Sequence, residues 1–205
     1  MTRRWGIWIF FYLVILSYGT EVLCQESDGA DEIKAAYIYN IIKFTSWPDT
    51  DYQSPPNETP ANESHESPLN VCLSGTPNSV AMLLADKLRG RTAKNKSLAI
   101  VYIPEFTDSP DEKTVQALGN CTLLYMGATS PNQEAWLINY SENHSILTIS
   151  DSPDFSKRNG IVELKTDIQQ EKVFILINTE AARKTNIVFS SKLLQLAHLV
   201  NSHAQ

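Results

Sequence analysis

Three kinds of residue are scarce in this chain, and each shortage argues against a class of function. Basic residues are outnumbered, 17 Lys and Arg against 23 Asp and Glu, whereas nucleic-acid-binding proteins present a basic surface. The four histidines, at 65, 144, 198 and 203, are scattered, and neither they nor the three cysteines have the spacing of a metal site. We therefore expect no nucleic-acid partner, no metal and no cofactor.

The first 24 residues have the pattern of a secretory signal peptide. Two arginines precede the uncharged apolar stretch WGIWIFFYLVILSYG at 5–19, which is short for a transmembrane helix. Val22 and Cys24 are small enough for a cleavage site, so we predict cleavage after Cys24. A lipid anchor on Cys24 is the competing interpretation, although the bulky Leu23 disfavours it, and an uncleaved N-terminal anchor is another.

Cleavage would leave residues 25–205, a length typical of one domain, exported to an oxidising compartment and not inserted in the membrane. This mature chain has 15 basic and 22 acidic residues, a net charge of −7. It keeps two cysteines, Cys72 and Cys121, and in such a compartment a pair is more often a disulfide than a metal site. The bridge would close a loop of 49 residues and stabilise the fold by about 4 kcal/mol.

The pattern of apolar residues predicts an α/β fold. Residues 31–47 have helical spacing, with an apolar face of Tyr37, Ile38, Ile41, Ile42 and Phe44. Residues 49–68 are rich in Pro, Asn and Ser and predict a flexible insertion. Strands are predicted at 70–74, 97–103, 121–126, 145–150, 160–165 and 172–178. We expect a single three-layer domain with a mostly parallel sheet, helices on both faces, and an antiparallel hairpin of the last two strands at the C-terminal edge.

Two helix starts are predicted between these strands. Thr76 can cap a helix that has Pro77 at its first position and runs to Gly90. Ser130 can cap a second helix with Pro131 first, and Gln133 stands where a reciprocal capping box places its partner.

Three turns share a pattern in which a strand end is followed by Gly or Asp, a hydroxyl residue and a proline. They are LSGTPN at 73–78, MGATSPN at 126–132 and ISDSPD at 149–154. In a parallel sheet they would lie at one carboxyl edge, where α/β folds bind ligands. Each turn can equally be only a helix start, and without GxGxxG or a Walker lysine a phosphate site is disfavoured. The candidate ligand residues of this edge are Thr76, Thr129, Ser130 and Asp151.

Catalytic residues do not assemble from the sequence. No GxSxG motif occurs. Asp151 and Asp154 could act as paired carboxylates, but aspartates are also common in turns that follow a strand, where they bond to the backbone. Lys34, near the apolar face of the first helix, is interpreted as a lysine that extends its ammonium to solvent. We expect no enzyme, with a hydrolase as the weakest alternative.

The C-terminal segment carries the candidate partner surface. Residues 177–200 predict a strand, a short helix, the apolar NIVF and a last helix through Val200. Leu199 lies opposite the apolar stripe of that last helix, with Gln195, and is expected in solvent. Phe189 is a candidate anchor for a partner, although a position in the core is an equal alternative.

Several segments together resemble the YfiR family of bacterial periplasmic proteins. They are KAAYIYNIIKFTSWP at 34–48, VCLSGTP at 71–77, CTLLYMG at 121–127, ILTISDSPDF at 146–155, GIVELK at 160–165 and INTEAARKTNIVFSSKLLQLA at 177–197. They occur in the family's order and cover nearly all of the mature chain except 49–68.

The resemblance implies a periplasmic, non-catalytic α/β domain. Such proteins repress an inner-membrane diguanylate cyclase by binding its periplasmic part, which keeps cyclic-di-GMP and biofilm formation low, and they form homodimers. Cys72 and Cys121 match one cysteine pair of the family, whereas a second pair found in some members near TISDSPDFS is absent. The membrane partner can also be a sensor protein instead of a cyclase. A further alternative is a periplasmic receptor that binds a small ligand at the carboxyl-edge turns.

Overall fold

The computed structural model describes residues 26–48 and 67–201. The predicted signal peptide and residues 49–66 of the predicted insertion lie outside this part. The helices are α1 Glu26–Lys43, α2 Ser79–Leu88, α3 Glu112–Gly119, α4 Pro131–Asn143, α5 Thr179–Lys184 and α6 Ser191–Leu196, with a 3₁₀ turn at Phe155–Arg158. The strands are β1 Thr45–Ser46, β2 Leu69–Ser74, β3 Thr92–Ala93, β4 Lys96–Ile103, β5 Leu123–Met126, β6 Leu147–Ser150, β7 Val162–Asp167, β8 Lys172–Asn178, β9 Val188–Phe189 and β10 His198–Val200.

Eight of these strands form one mixed sheet in the order β10-β8-β7-β6-β5-β2-β4-β3. Five neighbouring strands of this sheet, β4, β2, β5, β6 and β7, are parallel to one another, which confirms the predicted α/β class. β7 and β8 form the predicted antiparallel hairpin, and β3 pairs antiparallel with β4 at the other end. Beyond the hairpin, the short β10 adds to β8 in parallel. No helix within 26–48 or 67–201 is long and apolar enough to cross a membrane.

The central strands bury both of their faces, so the sheet has a hydrophobic core on each side. In β5, Leu123 and Tyr125 belong to the core with α1 and α2, while Leu124 and Met126 belong to the core with α3 and α4. Successive strand residues point to opposite faces, and a strand buried on both sides is therefore apolar throughout. This produces the predicted three layers.

The disulfide joins Cys72 and Cys121, as the sequence predicts. Cys72 lies in the middle of β2, and Cys121 follows the end of α3 just before β5. Both belong to the core on the α3 and α4 side of the sheet. The bridge therefore joins the segment between α3 and β5 to β2 in the centre of the sheet.

The start of α2 differs from the prediction. The helix begins after Asn78, whose side chain accepts a hydrogen bond from the Ala81 N–H at 2.8 Å, so Thr76 is not the cap. Gly75 has a positive φ of 90°, and Thr76 then donates its N–H to the Ala128 carbonyl at 3.0 Å. This extended turn holds Thr76 away from the helix. At α4 the predicted cap is correct, because Ser130 accepts from the Gln133 N–H at 3.2 Å.

The end of the chain also differs from the prediction. The last helix stops at Leu196, and residues 198–200 form β10 rather than continuing it. His198 and Val200 pair with Leu176 and Asn178 of β8, whose outer edge would otherwise lack a hydrogen-bonding partner. The apolar stripe predicted for this helix is therefore interrupted, and Leu196 is exposed.

Candidate functional site

The three turns with the shared pattern come off neighbouring strands at one edge, as predicted. Ser74, Met126 and Ser150 are in register at the ends of β2, β5 and β6. The Gly127 N–H donates to the Ser74 carbonyl at 2.8 Å, which holds the first two turns together. A Cβ on Gly75 would lie 2.7 Å from the Ala128 oxygen, so this close approach requires glycine.

A buried ion cluster occupies the side of this edge that faces α1. Lys34 is only 8% exposed, and its ammonium contacts Asp151 Oδ2 at 2.9 Å and Asp31 Oδ1 at 3.1 Å. The interpretation of Lys34 as a solvent-directed lysine is therefore wrong. A lysine can be buried when its charge is paired and hydrogen-bonded, and two carboxylates do that here.

Neutral side chains from β5 and from the start of α2 also belong to this cluster. The Tyr125 hydroxyl donates to Asp151 Oδ1 at 2.9 Å and accepts from the Asn78 side-chain amide at 3.0 Å. The Ser79 hydroxyl, at the start of α2, donates to Asp31. The network thus links α1, the start of α2, β5 and the turn after β6.

The electrostatics of the cluster favour the protonated forms of Lys34 and Tyr125. Burial lowers the pKa of Lys34, but the hydrogen bonds and charges of Asp151 and Asp31 outweigh it, so that the pKa is raised. Burial raises the pKa of Tyr125, and the neighbouring Asp151 charge raises it further. At neutral pH the lysine is therefore charged and the tyrosine neutral.

Both carboxylate oxygens of Asp151 are hydrogen-bonded within the cluster. One oxygen accepts from Lys34 and the other from Tyr125. The other aspartate of this turn, Asp154, pairs at the surface with Lys157 at 2.7 Å. The two aspartates are thus engaged with different cations.

The opposite side of the same edge contains a cavity of about 400 Å³. It is lined by Thr76, Glu105, Phe106, Thr107, Ala128, Thr129, Ser130 and Gln133. Three of the four candidate ligand residues, all except Asp151, therefore share one cavity. Asp151 belongs to the ion cluster instead.

A second, larger cavity of about 580 Å³ lies beside α1 and the β7–β8 hairpin. Ile33, Ile168 and Val173 contribute apolar surface, and Asp31 and Lys34 of the ion cluster also line it. Sequence reasoning did not predict this groove, because it forms between elements that are far apart in the chain.

The candidate partner residues fall into two groups. Leu199 is 56% exposed and Gln195 is also exposed, so both are accessible for contact. Phe189 is 8% exposed and belongs to the main core, which supports the alternative that its role is structural. Its neighbour Val188, on the same short strand, is exposed instead.

Sequence reasoning missed several residues of the two sites. Tyr125 lies inside an apolar strand, where only its hydroxyl distinguishes it from a core residue. Asp31 precedes Lys34 by three residues, a spacing that allows an ion pair on a helix and could have indicated one. Glu105 had no signal beyond its position just after β4, and Gln133 was recognised only as a capping residue of α4.

Comparison with curated proteins found no match. A family model described as YfiR/HmsC-like matches residues 31–198, which is most of the chain. The matched range includes α1 from Asp31 onward, both sites at the carboxyl edge and the start of β10. This chain belongs to the YfiR/HmsC-like family.

Proposed function

We propose that this protein is a periplasmic regulator that represses an inner-membrane diguanylate cyclase by binding the periplasmic segment of that enzyme. The observation that carries the proposal is the family match over residues 31–198. The regulator acts by contact and performs no catalysis. Its effect is to keep cyclic-di-GMP low and thereby to limit biofilm formation.

The surface that we assign to the partner is the C-terminal segment. Leu196 is 75% exposed and Leu199 is 56% exposed, and Gln195 adds a polar group beside them. A contiguous apolar patch on a protein surface can mark a site of protein contact. The contact can switch the cyclase only if it favours one of the enzyme's two states, and a shift from mostly on to mostly off needs a difference of about 5 kcal/mol.

The location and assembly belong to the same proposal. The charged start and apolar core of residues 1–24 support export with cleavage after Cys24, and the mature chain acts in the periplasm. The disulfide between Cys72 and Cys121 supports an oxidising compartment, because such bridges are rare in the cytosol. We propose a homodimer as the active form.

Complementation tests the assigned surface. A strain lacking the gene is supplied with the wild type, Leu199→Asp or the control Met82→Asp, and its cyclic-di-GMP is measured. Met82 is a matched control because it is 63% exposed and apolar but lies on α2. We expect Leu199→Asp to be exported normally and to leave the nucleotide high, whereas Met82→Asp restores the low level. Full repression by Leu199→Asp would show that the partner binds elsewhere.

A further inference from the structure

The cavity on the α4 side of the carboxyl edge has the position of a binding site. β2 continues through α2 to β4 on one side, whereas β5 continues through α4 to β6 on the other. In α/β sheets, ligands bind outside the carboxyl ends of strands where the connections diverge in this way. Thr76 follows β2 and Thr129 follows β5, so the cavity lies at this divergence.

Two polar side chains of this cavity lack hydrogen-bond partners within the described residues. Gln133 is only 3% exposed, and its amide nitrogen has no partner. The Thr129 hydroxyl is also buried without one. An unpaired buried polar group destabilises the folded state, so such groups in native structures call for an explanation. A bound ligand that accepts a hydrogen bond from the Gln133 amide and bonds to the Thr129 hydroxyl would give both groups a partner.

The charges of the lining residues restrict the class of ligand. None of the eight is basic, and the only charged one is Glu105, whose carboxylate accepts from the Thr76 hydroxyl at 2.9 Å. The start of α4 has few backbone donors left for an anion. Pro131 has no N–H, and the N–H groups of Gln133 and Glu134 already donate to the side chain and the carbonyl of Ser130. Phosphates and other anions are therefore disfavoured.

A neutral ligand rich in hydroxyl groups fits the remaining chemistry. Each hydroxyl both donates and accepts, so one ligand can accept from Gln133 and donate to Glu105. The Phe106 ring, which packs edge to face on Trp136 with centroids 5.4 Å apart, adds an apolar wall. Pockets of a few hundred Å³ with few polar groups on an apolar wall hold small molecules. We propose that this cavity binds a mono- or disaccharide, a role separate from the proposed regulation of a cyclase.

Titration of the purified mature protein with glucose, galactose, N-acetylglucosamine and maltose tests the proposal. Inorganic phosphate serves as the anionic control. Amide resonances are followed by NMR and affinities by calorimetry. We expect at least one saccharide to shift the resonances of Thr76, Thr129, Ser130 and Gln133, and phosphate to shift none. If no saccharide moves these resonances, or if only phosphate does, the proposal is overturned.

The variant Gln133→Leu separates a ligand role from a structural one. Removing an unpaired buried amide should leave Tm unchanged or raise it by about 2–4 °C, while saccharide affinity falls about tenfold or more. The control Gln116→Leu changes an exposed glutamine of α3 and should keep wild-type affinity. A lower Tm for Gln133→Leu would reveal an internal partner for the amide, and unchanged affinity would place the saccharide elsewhere. Either result overturns the proposal.

Discussion

Replacing Lys34 with Met should destabilise the protein strongly, because it leaves two carboxylates without their shared cation. The Lys34 ammonium is within 3.1 Å of both Asp31 and Asp151, and its side chain is 10% exposed. Methionine retains the length and much of the volume of the lysine stem. The decrease in the free energy of unfolding therefore measures the contribution of the charge and its hydrogen bonds rather than that of packing.

The expected magnitude follows from the burial of the cluster. At an effective dielectric constant near 20, one ion pair at 3 Å gains roughly 5 kcal/mol before desolvation is subtracted. Desolvation of the lysine and the carboxylates offsets much of this gain. Removing one partner of a buried pair nevertheless costs about 3–5 kcal/mol, because the remaining charge stays buried and unpaired. A domain of this size has a total stability of about 5–15 kcal/mol, so the loss is a large share of it.

Urea unfolding at pH 7 followed by circular dichroism measures this loss. The matched control is Lys157→Met, which breaks a pair of similar length, 2.7 Å to Asp154, between side chains that are 65% and 61% exposed. That control should unfold at the same urea concentration as the wild type, since exposed pairs contribute little. If Lys34→Met is no less stable than Lys157→Met, the ion cluster does not hold α1 to the sheet and the reasoning is refuted.

Three further predictions concern stability. Replacing Cys72 and Cys121 together with Ala should lower the free energy of unfolding by about 4 kcal/mol in urea, and an unchanged midpoint would mean that the bridge does not stabilise the fold. Glu163 is buried and accepts from two backbone N–H groups and the Ser156 hydroxyl, so Glu163→Leu should cost about 3 kcal/mol or more in the same assay, and a cost near zero would contradict this role. Alkaline pH should destabilise the wild type: the pKa of Tyr125 is raised in the folded state, so above about pH 10 the unfolded state binds fewer protons and stability falls. Tm measured from pH 8 to 11 should therefore decline less steeply for Tyr125→Phe, and equal slopes would exclude this contribution.

The layered fold could be predicted from the sequence because its central strands are short and mostly apolar. Leu123 to Met126 form an unbroken apolar run, which is typical of a strand covered on both faces. The parallel order of these strands then placed the turns at Thr76, Ser130 and Asp151 along one edge without further information.

The contact between Lys34 and Asp151 could not be predicted, because it joins distant parts of the chain. Lys34 and Asp151 are 117 residues apart, and nothing local to either one indicates the other. The predicted apolar face of the first helix is correct for its isoleucines, which are buried, but wrong for Phe44, which follows the end of the helix and is exposed. The predicted environment of the lysine is wrong as well.

The error at the C-terminus has a different cause. The spacing of Leu193, Leu196 and Val200 is helical, but residues 198–200 instead form backbone hydrogen bonds with the outer edge of β8. Backbone pairing along that edge outweighs the local helical preference. Leu199 is exposed in both arrangements, so its assignment to a partner surface does not depend on which one forms.

The level of cyclic-di-GMP in a strain that lacks this gene tests the central claim most directly. Repression of a diguanylate cyclase predicts that deletion raises the nucleotide and that the wild-type gene, supplied on a plasmid, returns it to the parental level. An unchanged level after deletion, under conditions in which the wild-type protein is exported and folded, would contradict regulation of a cyclase.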